Sequence, residues 1–368
     1  MSVLSITRTL ALIISISLAS MIGPTNGVAS DVKSVADRKM RLVKTITGDI
    51  APKSVRASNN GLVSAHNMMY RHSVTIYDAE SMQLKVTVPD TVKPSEFGFS
   101  RLTSPLRGAP VEGAYSPDGT HLYVTNYAMY GKGFNREGTD ICKPSDGYDR
   151  SFLYRIDLKS YTIDQIYKVG VVPKVVETSA DGRFVLVTNW CSYDLSIIST
   201  EEEKVVKTIP IGAYPRGIAI SSDSRYGYVA QMGGSVVHRI DLTDFSTKRI
   251  PIGSNPRALQ LSADDSILYA TLNSSGQVVA LDLTTNKVIK RVTTGKAARS
   301  LTLSDDGTAL FVVNFFSGTM AKVRTDDFKV TQKVKVCKSP IGITYESAFD
   351  RTWVACYGGA IKVFDNIG

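Results

Sequence analysis

The stretch SADGRFVLVTNWCSYDLSIISTEEEKVVKTIPIG, residues 179 to 212, sets the pattern for most of the chain. It contains four short runs of β-forming residues, in which apolar side chains such as Val185 and Val187 occupy alternate positions. An apolar period of two is typical of a β-strand, whereas a helix would show a period of about 3.6 residues. Turn-forming residues such as Asp181 and Gly182 separate the runs. The stretch therefore predicts a unit of four short strands.

The same unit recurs along the chain with a period near 42 residues. Aligned on the residue that opens the first turn, the seven copies begin that turn at Ser58, Ser116, Ser179, Ser221, Ser262, Ser304 and Glu346. The first two spacings are 58 and 63 residues, and the others are 42, 41, 42 and 42. Four strands in about 42 residues are typical of a β-propeller blade. Leucine-rich and ankyrin repeats are excluded because they are shorter.

Seven units close into a ring only if the N-terminal region takes part. The seventh unit ends with Ile361–Asp365 and lacks a fourth strand, whereas Met40–Gly48 resembles the outer strand Lys204–Gly212 and belongs to no unit of its own. We therefore predict an all-β, seven-bladed β-propeller of four-stranded antiparallel blades. Its N-terminal strand completes the last blade, so that no long edge stays exposed.

One repeat contains the run Tyr123-Val124-Thr125-Asn126 intact, and other units keep degenerate copies such as Phe311–Asn314. On these residues the chain resembles the YVTN-type β-propeller repeat family over about residues 40 to 366. The resemblance implies a propeller fold and an exported or surface location. It leaves the activity open, since one fold hosts many functions.

The first 30 residues have the features of a secretory signal peptide: one cation at Arg8, an apolar run from about Leu10 to Ile22, and the small residues Gly27–Ser30. An uncleaved membrane anchor is the alternative, although the run is shorter than the roughly 20 residues of a spanning helix. No second apolar segment closes the chain. We expect a secreted or extracytoplasmic protein, periplasmic or at the cell surface, with no transmembrane segment after signal removal.

These features divide the chain into a signal peptide at residues 1–30, a flexible N-terminal segment at 31–39, and a single propeller domain at 40–368, which we expect to be a monomer. The formal net charge of +9 favours anionic partners. Nucleic acid is not expected as a partner, because no long basic run has interleaved aromatic residues.

Two units are longer than the period, and both insertions fall in connections that a propeller places on one face. One lies between Asp78 and Pro110, and the other between Asn126 and Asp157. The second contains Tyr130 and Tyr148, which suit an ordered contact surface. Neutral drift of exposed loops is the alternative. The loop-rich face is therefore a candidate working surface.

Four cysteines in an exported chain favour disulfide formation. The repeat positions of Cys142 and Cys191 fall in corresponding loops of the second and third units, and Cys337 and Cys356 both belong to the last unit. All four project to the loop-rich face, so the topology permits the pairs Cys142–Cys191 and Cys337–Cys356. Four reduced thiols are the alternative.

A cation recurs at one repeat position, where the innermost strand opens on the loop-rich face. Five of the seven units have Lys or Arg there, and the other two have Val111 and Ile341. The five cations are Lys53, Lys174, Arg216, Arg257 and Arg299. They would surround the mouth of the central channel and form an anion-accepting funnel. Alternatively, each cation packs over its proline and pairs with a neighbouring carboxylate or carbonyl, for which Glu112 and Glu177 are candidates.

The sequence contains no nucleophile elbow, no phosphate-binding loop, no dinucleotide fingerprint and no histidines at metal-ligand spacing. We therefore predict no cofactor and no metal site, and a non-enzymatic module that binds a protein or an anionic small molecule or polymer through its loop-rich face. The alternative is a lactonase-like hydrolase at the channel mouth. Its site would draw on Glu112, Glu177, Arg56, His66 and Asn189 from the inner strands.

Overall fold

Each repeat unit folds into one four-stranded antiparallel sheet. The computed structural model describes residues 33–127 and 141–368. Within these residues, 28 strands form seven sheets, which we call blades 1 to 7 in chain order of their first strands. The predicted all-β, seven-bladed propeller is confirmed.

In every blade the first strand lines the central channel, and the following strands lie successively further out. The strands are β1 (Lys39–Ile46); in blade 1, β2 (Ser54–Ala57), β3 (Leu62–Asn67), β4 (Ser73–Asp78) and β5 (Leu84–Pro89); in blade 2, β6 (Pro110–Tyr115), β7 (His121–Asn126), β8 (Phe152–Asp157) and β9 (Thr162–Lys168); in blade 3, β10 (Pro173–Thr178), β11 (Phe184–Asn189), β12 (Asp194–Ser199) and β13 (Lys204–Pro210). They continue in blade 4 with β14 (Pro215–Ile220), β15 (Tyr226–Gln231), β16 (Val236–Asp241) and β17 (Thr247–Pro251); in blade 5 with β18 (Pro256–Leu261), β19 (Ile267–Leu272), β20 (Gln277–Asp282) and β21 (Lys287–Thr293); in blade 6 with β22 (Ala298–Leu303), β23 (Ala309–Asn314), β24 (Thr319–Arg324) and β25 (Val330–Lys335); and in blade 7 with β26 (Pro340–Glu346), β27 (Arg351–Cys356) and β28 (Ala360–Ile367).

The ring closes as predicted, because β1 is the outermost strand of blade 7. It runs antiparallel to β28, from the pair Lys39 and Ile367 to the pair Ile46 and Ile361. The side chain of Met40 is buried in the apolar cluster between blades 6 and 7. The first and last strands of the domain are therefore hydrogen-bonded to each other.

The segment before β1 lies within residues 31–39, which were predicted to be a flexible stretch, and its described part contacts blade 6. Residues 33–38 form a hydrogen-bonded turn in which Val35 and Ala36 are buried. The amide of Val35 donates to Asp306 Oδ2 at 2.9 Å, and the ammonium of Lys322 donates to the carbonyl of Val35 at 2.9 Å. These contacts join the turn to blade 6, far along the chain.

The hydrophobic core lies between neighbouring blades rather than inside any one of them. One cluster joins Ala230 and Ile250 of blade 4 to Leu259 and Val279 of blade 5. Side chains that alternate along a strand point to opposite faces, so each sheet contributes to the cluster on either side. Each blade is therefore stabilised by both of its neighbours.

The first insertion leaves blade 1 after β5 and packs against the outer strands of blade 2. It contains a 3₁₀ turn at Pro94–Phe97 and a bridge between Val92 and Leu106. Phe99 meets Phe152 edge to face, with ring centroids 5.0 Å apart. The insertion therefore covers the flank of blade 2.

In the described part of the chain, no helix is both long and apolar enough to cross a membrane.

Candidate functional site

The inner strands of all seven blades enclose a central channel with a cavity of about 270 Å³. Charged side chains make up part of its lining. They are Arg56, Glu112, Glu177, Arg216, Arg257 and Arg299. Three of the five cations predicted for the channel mouth, at positions 216, 257 and 299, therefore line the channel itself.

A β-bulge at the start of the inner strand determines where these cations lie. The pairing of β10 with β11 shifts register between Pro173 and Val176, and β14 and β18 shift at the equivalent step. A bulge bends its strand and re-aims the side chains within it. Lys174, Arg216 and Arg257 all lie within such a bulge.

A threonine in the second strand fixes the bulge of the next blade. The hydroxyl of Thr125 donates to the carbonyl of Lys174 at 3.0 Å, and that of Thr188 donates to the carbonyl of Arg216 at 2.9 Å. Each hydroxyl also accepts from an amide in its own inner strand. The threonine thus links two blades through the backbone carbonyl of the cationic residue. Sequence analysis missed this role, although the Thr-Asn pair that ends β7 and β11 was a visible signal.

The five predicted cations converge. Lys53, Lys174, Arg216 and Arg257 are 3–7% exposed, and Arg299 is half-buried. Burial lowers the pKa of Lys53 well below its usual value, and repulsion from the other four cations lowers it further. Burial is the larger cause, and the repulsion shows that the five cations lie close enough to interact.

Aromatic rings pack against the cations. The ammonium of Lys174 lies 4.8 Å from the ring centroid of Tyr127 and 5.5 Å from that of Trp190, and the guanidinium of Arg299 lies 4.1 Å from that of Phe315. Such cation–π contacts stabilise a buried cation without neutralising it.

These rings share one repeat position, directly after the last residue of the second strand. Six blades have an aromatic residue or methionine there, and blade 5 has Asn273. The six are Met68, Tyr127, Trp190, Met232, Phe315 and Tyr357. We call them the apolar collar. The sequence analysis missed the apolar collar, although an alignment of the repeats contains it.

The two carboxylates of the lining are bound to arginines. Glu177 forms a two-pronged ion pair with Arg56, with N–O distances of 2.8 and 2.6 Å. Burial raises the pKa of Glu177, against the attraction of Arg56. Glu112 lies 3.5 Å from Arg216. With four arginines and two glutamates, the described lining has an excess of positive charge.

Two of the other candidate residues, His66 and Asn189, are not among the residues that line the cavity. Both make hydrogen bonds that stabilise the fold. His66 is buried, and its Nδ1 lies 2.7 Å from the hydroxyl of Ser54. Burial, with repulsion from Arg56, lowers the pKa of His66 to about 3. Asn189 accepts from the amide of Gly170 at 3.0 Å and donates to Asp194 at 2.7 Å. It therefore holds two loops together.

The described end of the second insertion lies at the channel entrance. The disulfide Cys142–Cys191 joins it to blade 3, with Cα atoms 5.3 Å apart. Tyr148 is half-buried against the same apolar cluster as Cys142, whereas Tyr130 lies outside the described residues. The second predicted disulfide, Cys337–Cys356, is also formed, with Cα atoms 6.2 Å apart. Both predicted pairings are confirmed.

Within residues 33–127 and 141–368, no group of three or more His, Cys, Asp or Glu side chains is placed to hold a metal ion. What the described channel can do chemically is attract and hold a negatively charged group. Its guanidinium groups are permanently charged and donate hydrogen bonds in a planar fork that matches carboxylate and phosphate oxygens.

The fold and this site together define a class: a seven-bladed β-propeller whose channel has a cationic, aromatic-flanked entrance. No protein-family model matches the chain. The chain is similar to Antigen Lp49 of Leptospira interrogans serogroup Icterohaemorrhagiae serovar copenhageni, with 29% identity over 118 residues. The match covers 32% of this chain and 23% of Lp49, so the chain spans under a quarter of that relative's length.

Proposed function

We propose that this protein is an exported, non-enzymatic binding module that accepts an anionic group at the entrance of its central channel. The group belongs to a small carboxylate or phosphate ligand, or to an acidic side chain of a protein partner. The observation that carries the proposal is the charge of the described lining, four arginines against two glutamates, with the pKa of nearby Lys53 lowered by burial and by its cationic neighbours.

The state of the carboxylates supports a binding module over a lactonase-like hydrolase. A hydrolase of that kind would need carboxylates available to a metal or to a water molecule. Glu177 is held by both oxygens on Arg56, and Glu112 lies beside Arg216. The uncharged His66 contacts Ser54 and is not among the residues that line the cavity.

Two observations support an exported location. The chain has two disulfides, which persist in oxidising compartments. Its relative Lp49 is named an antigen. Together with the signal-peptide features of residues 1–30, these observations favour a periplasmic or cell-surface protein of the YVTN-repeat type.

Calorimetric titration with phosphate, citrate and a hexaglutamate peptide at low ionic strength tests the proposed site. We expect at least one anion to bind, with an affinity that falls as salt is added. Arg299→Gln should weaken binding about tenfold. Arg183→Gln removes an equal charge from an exposed side chain outside the channel lining and should leave the affinity unchanged.

Two results would overturn the proposal. One is the failure of all three anions to bind to the wild-type protein. The other is equal binding by the wild-type protein and Arg299→Gln. Turnover of a lactone by the wild-type protein would favour the hydrolase.

A further inference from the structure

The outermost strands of blades 4 to 7 are strongly basic. Strands β17, β21, β25 and β1 carry ten Lys and Arg residues and no Asp or Glu. The ten are Lys248, Arg249, Lys287, Lys290, Arg291, Lys333, Lys335, Lys39, Arg41 and Lys44. We call this surface the basic belt. It follows four consecutive blades around the outside of the ring.

Eight of the ten side chains are exposed. The other two bridge neighbouring blades, since Lys290 donates to the carbonyl of Asp326 in blade 6 and Lys44 donates to the carbonyl of Ser81 in blade 1. Exposed strand residues that alternate along one strand face the same side, as Lys333 and Lys335 do. The exposed cations therefore recur on the outermost strand of each of these four blades.

Protection of edge strands against aggregation is the simplest explanation for lysines on outer strands. That explanation predicts a similar number in every blade, because every blade has one outer edge. The outer strands of blades 1 to 3 carry four cations, Lys85, Lys168, Lys204 and Lys207, and β9 also carries Asp164. Blade 3 thus matches blades 4 and 6 with two cations, but the net charge of the outer strand rises from +1 and 0 in blades 1 and 2 to +3 in blades 5 and 7, a difference that edge protection alone does not predict.

We propose that the basic belt binds a flexible, linear polyanion, and specifically an acidic polysaccharide. The belt curves around more than half of the ring, so a flat bilayer could touch only part of it, whereas a flexible chain could follow it. Nucleic-acid binding to single strands uses aromatic side chains that stack on bases. The four strands contain no Phe, Tyr or Trp. The two disulfides also favour an extracytoplasmic partner.

This binding surface is separate from the channel entrance, because none of the ten residues lines the cavity. A long polyanion would contact many cations weakly at the same time, and its affinity would depend steeply on salt. The channel site instead accepts one anionic group. The two proposals can therefore fail independently.

Two variants of equal charge test the proposal on the full-length protein. The belt variant is Arg249→Gln, Arg291→Gln, Lys333→Gln and Lys335→Gln. The control variant is Lys85→Gln, Lys168→Gln, Lys204→Gln and Lys207→Gln, which removes four exposed cations from blades 1 to 3. A heparin dodecasaccharide serves as the probe, with affinity measured by calorimetry at several NaCl concentrations.

We expect the wild-type protein to bind the dodecasaccharide, the belt variant to lose at least about tenfold in affinity, and the control variant to lose less than about twofold. Arg299→Gln should bind the probe as the wild-type protein does, which separates this surface from the channel. Equal losses in the belt and control variants would show a non-specific effect of net charge and overturn the proposal. It would also be overturned if single-stranded DNA of equal charge, or vesicles of anionic lipid, bound more tightly than the polysaccharide.

Discussion

At the scale of single residues, the threonine of the Tyr-Val-Thr-Asn motif acts between blades. Thr188 donates to the carbonyl of Arg216 in blade 4 and accepts from the amide of Val175 in its own blade. Its hydroxyl is fully buried, so both backbone groups depend on it for hydrogen bonding. The motif thereby joins strand formation to the placement of the cations at the channel.

Replacing Thr188 by Val tests this role, because Val has nearly the same shape and lacks the hydroxyl. The variant leaves a buried carbonyl and a buried amide without this partner, and we expect it to reduce the free energy of unfolding by about 1–3 kcal/mol. Urea denaturation measures the effect. Thr208→Val, on an exposed position of β13, is the matched control and should be nearly neutral. Equal effects in the two variants would contradict the proposed link.

Lys53 provides a second test at the residue scale, because its charge is unfavourable in the folded protein. Burial and four neighbouring cations lower the pKa of its ammonium well below the usual value. Below this lowered pKa the side chain is charged and attracts an anion. As the pH rises through it, the charge is lost, so anion affinity should fall in that range.

Lys53→Met should remove that fall and give a flatter profile of affinity against pH. It should also raise the melting temperature, since it removes a buried and repelled charge, whereas a lysine that only stabilised the fold would lower it when replaced. Calorimetry across the pH range and thermal denaturation measure the two effects. A variant whose profile of anion affinity against pH matched that of the wild type would exclude Lys53 from the site.

At the scale of elements, two links stabilise the last blade, one a strand pairing and the other a disulfide. Strand β1 pairs with β28, and the disulfide Cys337–Cys356 ties the connection before β26 to the end of β27. A disulfide stabilises a fold mainly by restricting the unfolded chain, by about 3 kcal/mol for a loop of some 20 residues. This pair is 19 residues apart.

The variant Cys337→Ala with Cys356→Ala should therefore lose about 3 kcal/mol in the free energy of unfolding, measured by urea denaturation without reductant. Wild-type protein unfolded in the presence of reductant loses both disulfides, so it should lose at least as much. If the double variant were as stable as the wild type, the bridge would not constrain the unfolded chain.

The sequence predicted elements that repeat better than contacts that do not. A period near 42 residues determined the seven blades, and the same alignment revealed the repeat position whose cations line the channel in three blades. The burial of Lys174 between Tyr127 and Trp190 could not be predicted in the same way, because it depends on how adjacent blades approach. The turn at Val35 gives no local signal either, since its partner Asp306 lies 271 residues away in the chain.

At the scale of the whole molecule, the N-terminal region closes the ring. The ammonium of Lys322 is fully buried and donates to the carbonyls of both Val35 and Arg38, just before β1. Arg38 also forms an ion pair with Asp350 of blade 7. These contacts hold the start of the domain against blades 6 and 7. Because each blade is stabilised by its neighbours, loss of this closure should weaken the whole ring.

Truncation tests whether β1 is needed for the stability of the ring. Deletion of residues 1–46 removes β1 and the turn before it, whereas the control deletion of residues 1–32 removes only residues that precede them. Without β1, the backbone groups of β28 that face it become an unpaired edge, and Met40 no longer fills the cluster between blades 6 and 7. An unpaired edge strand favours association with other chains. We therefore expect the deletion of residues 1–46 to lower the melting temperature and to produce oligomers in light-scattering measurements. The deletion of residues 1–32 should remain monomeric and as stable as the full-length protein.

A synthetic peptide of residues 33–46 added in excess should restore a monomer, since it can pair with β28 in trans. If the longer deletion unfolded at the same temperature as the control and stayed monomeric, the ring would not depend on its N-terminal strand.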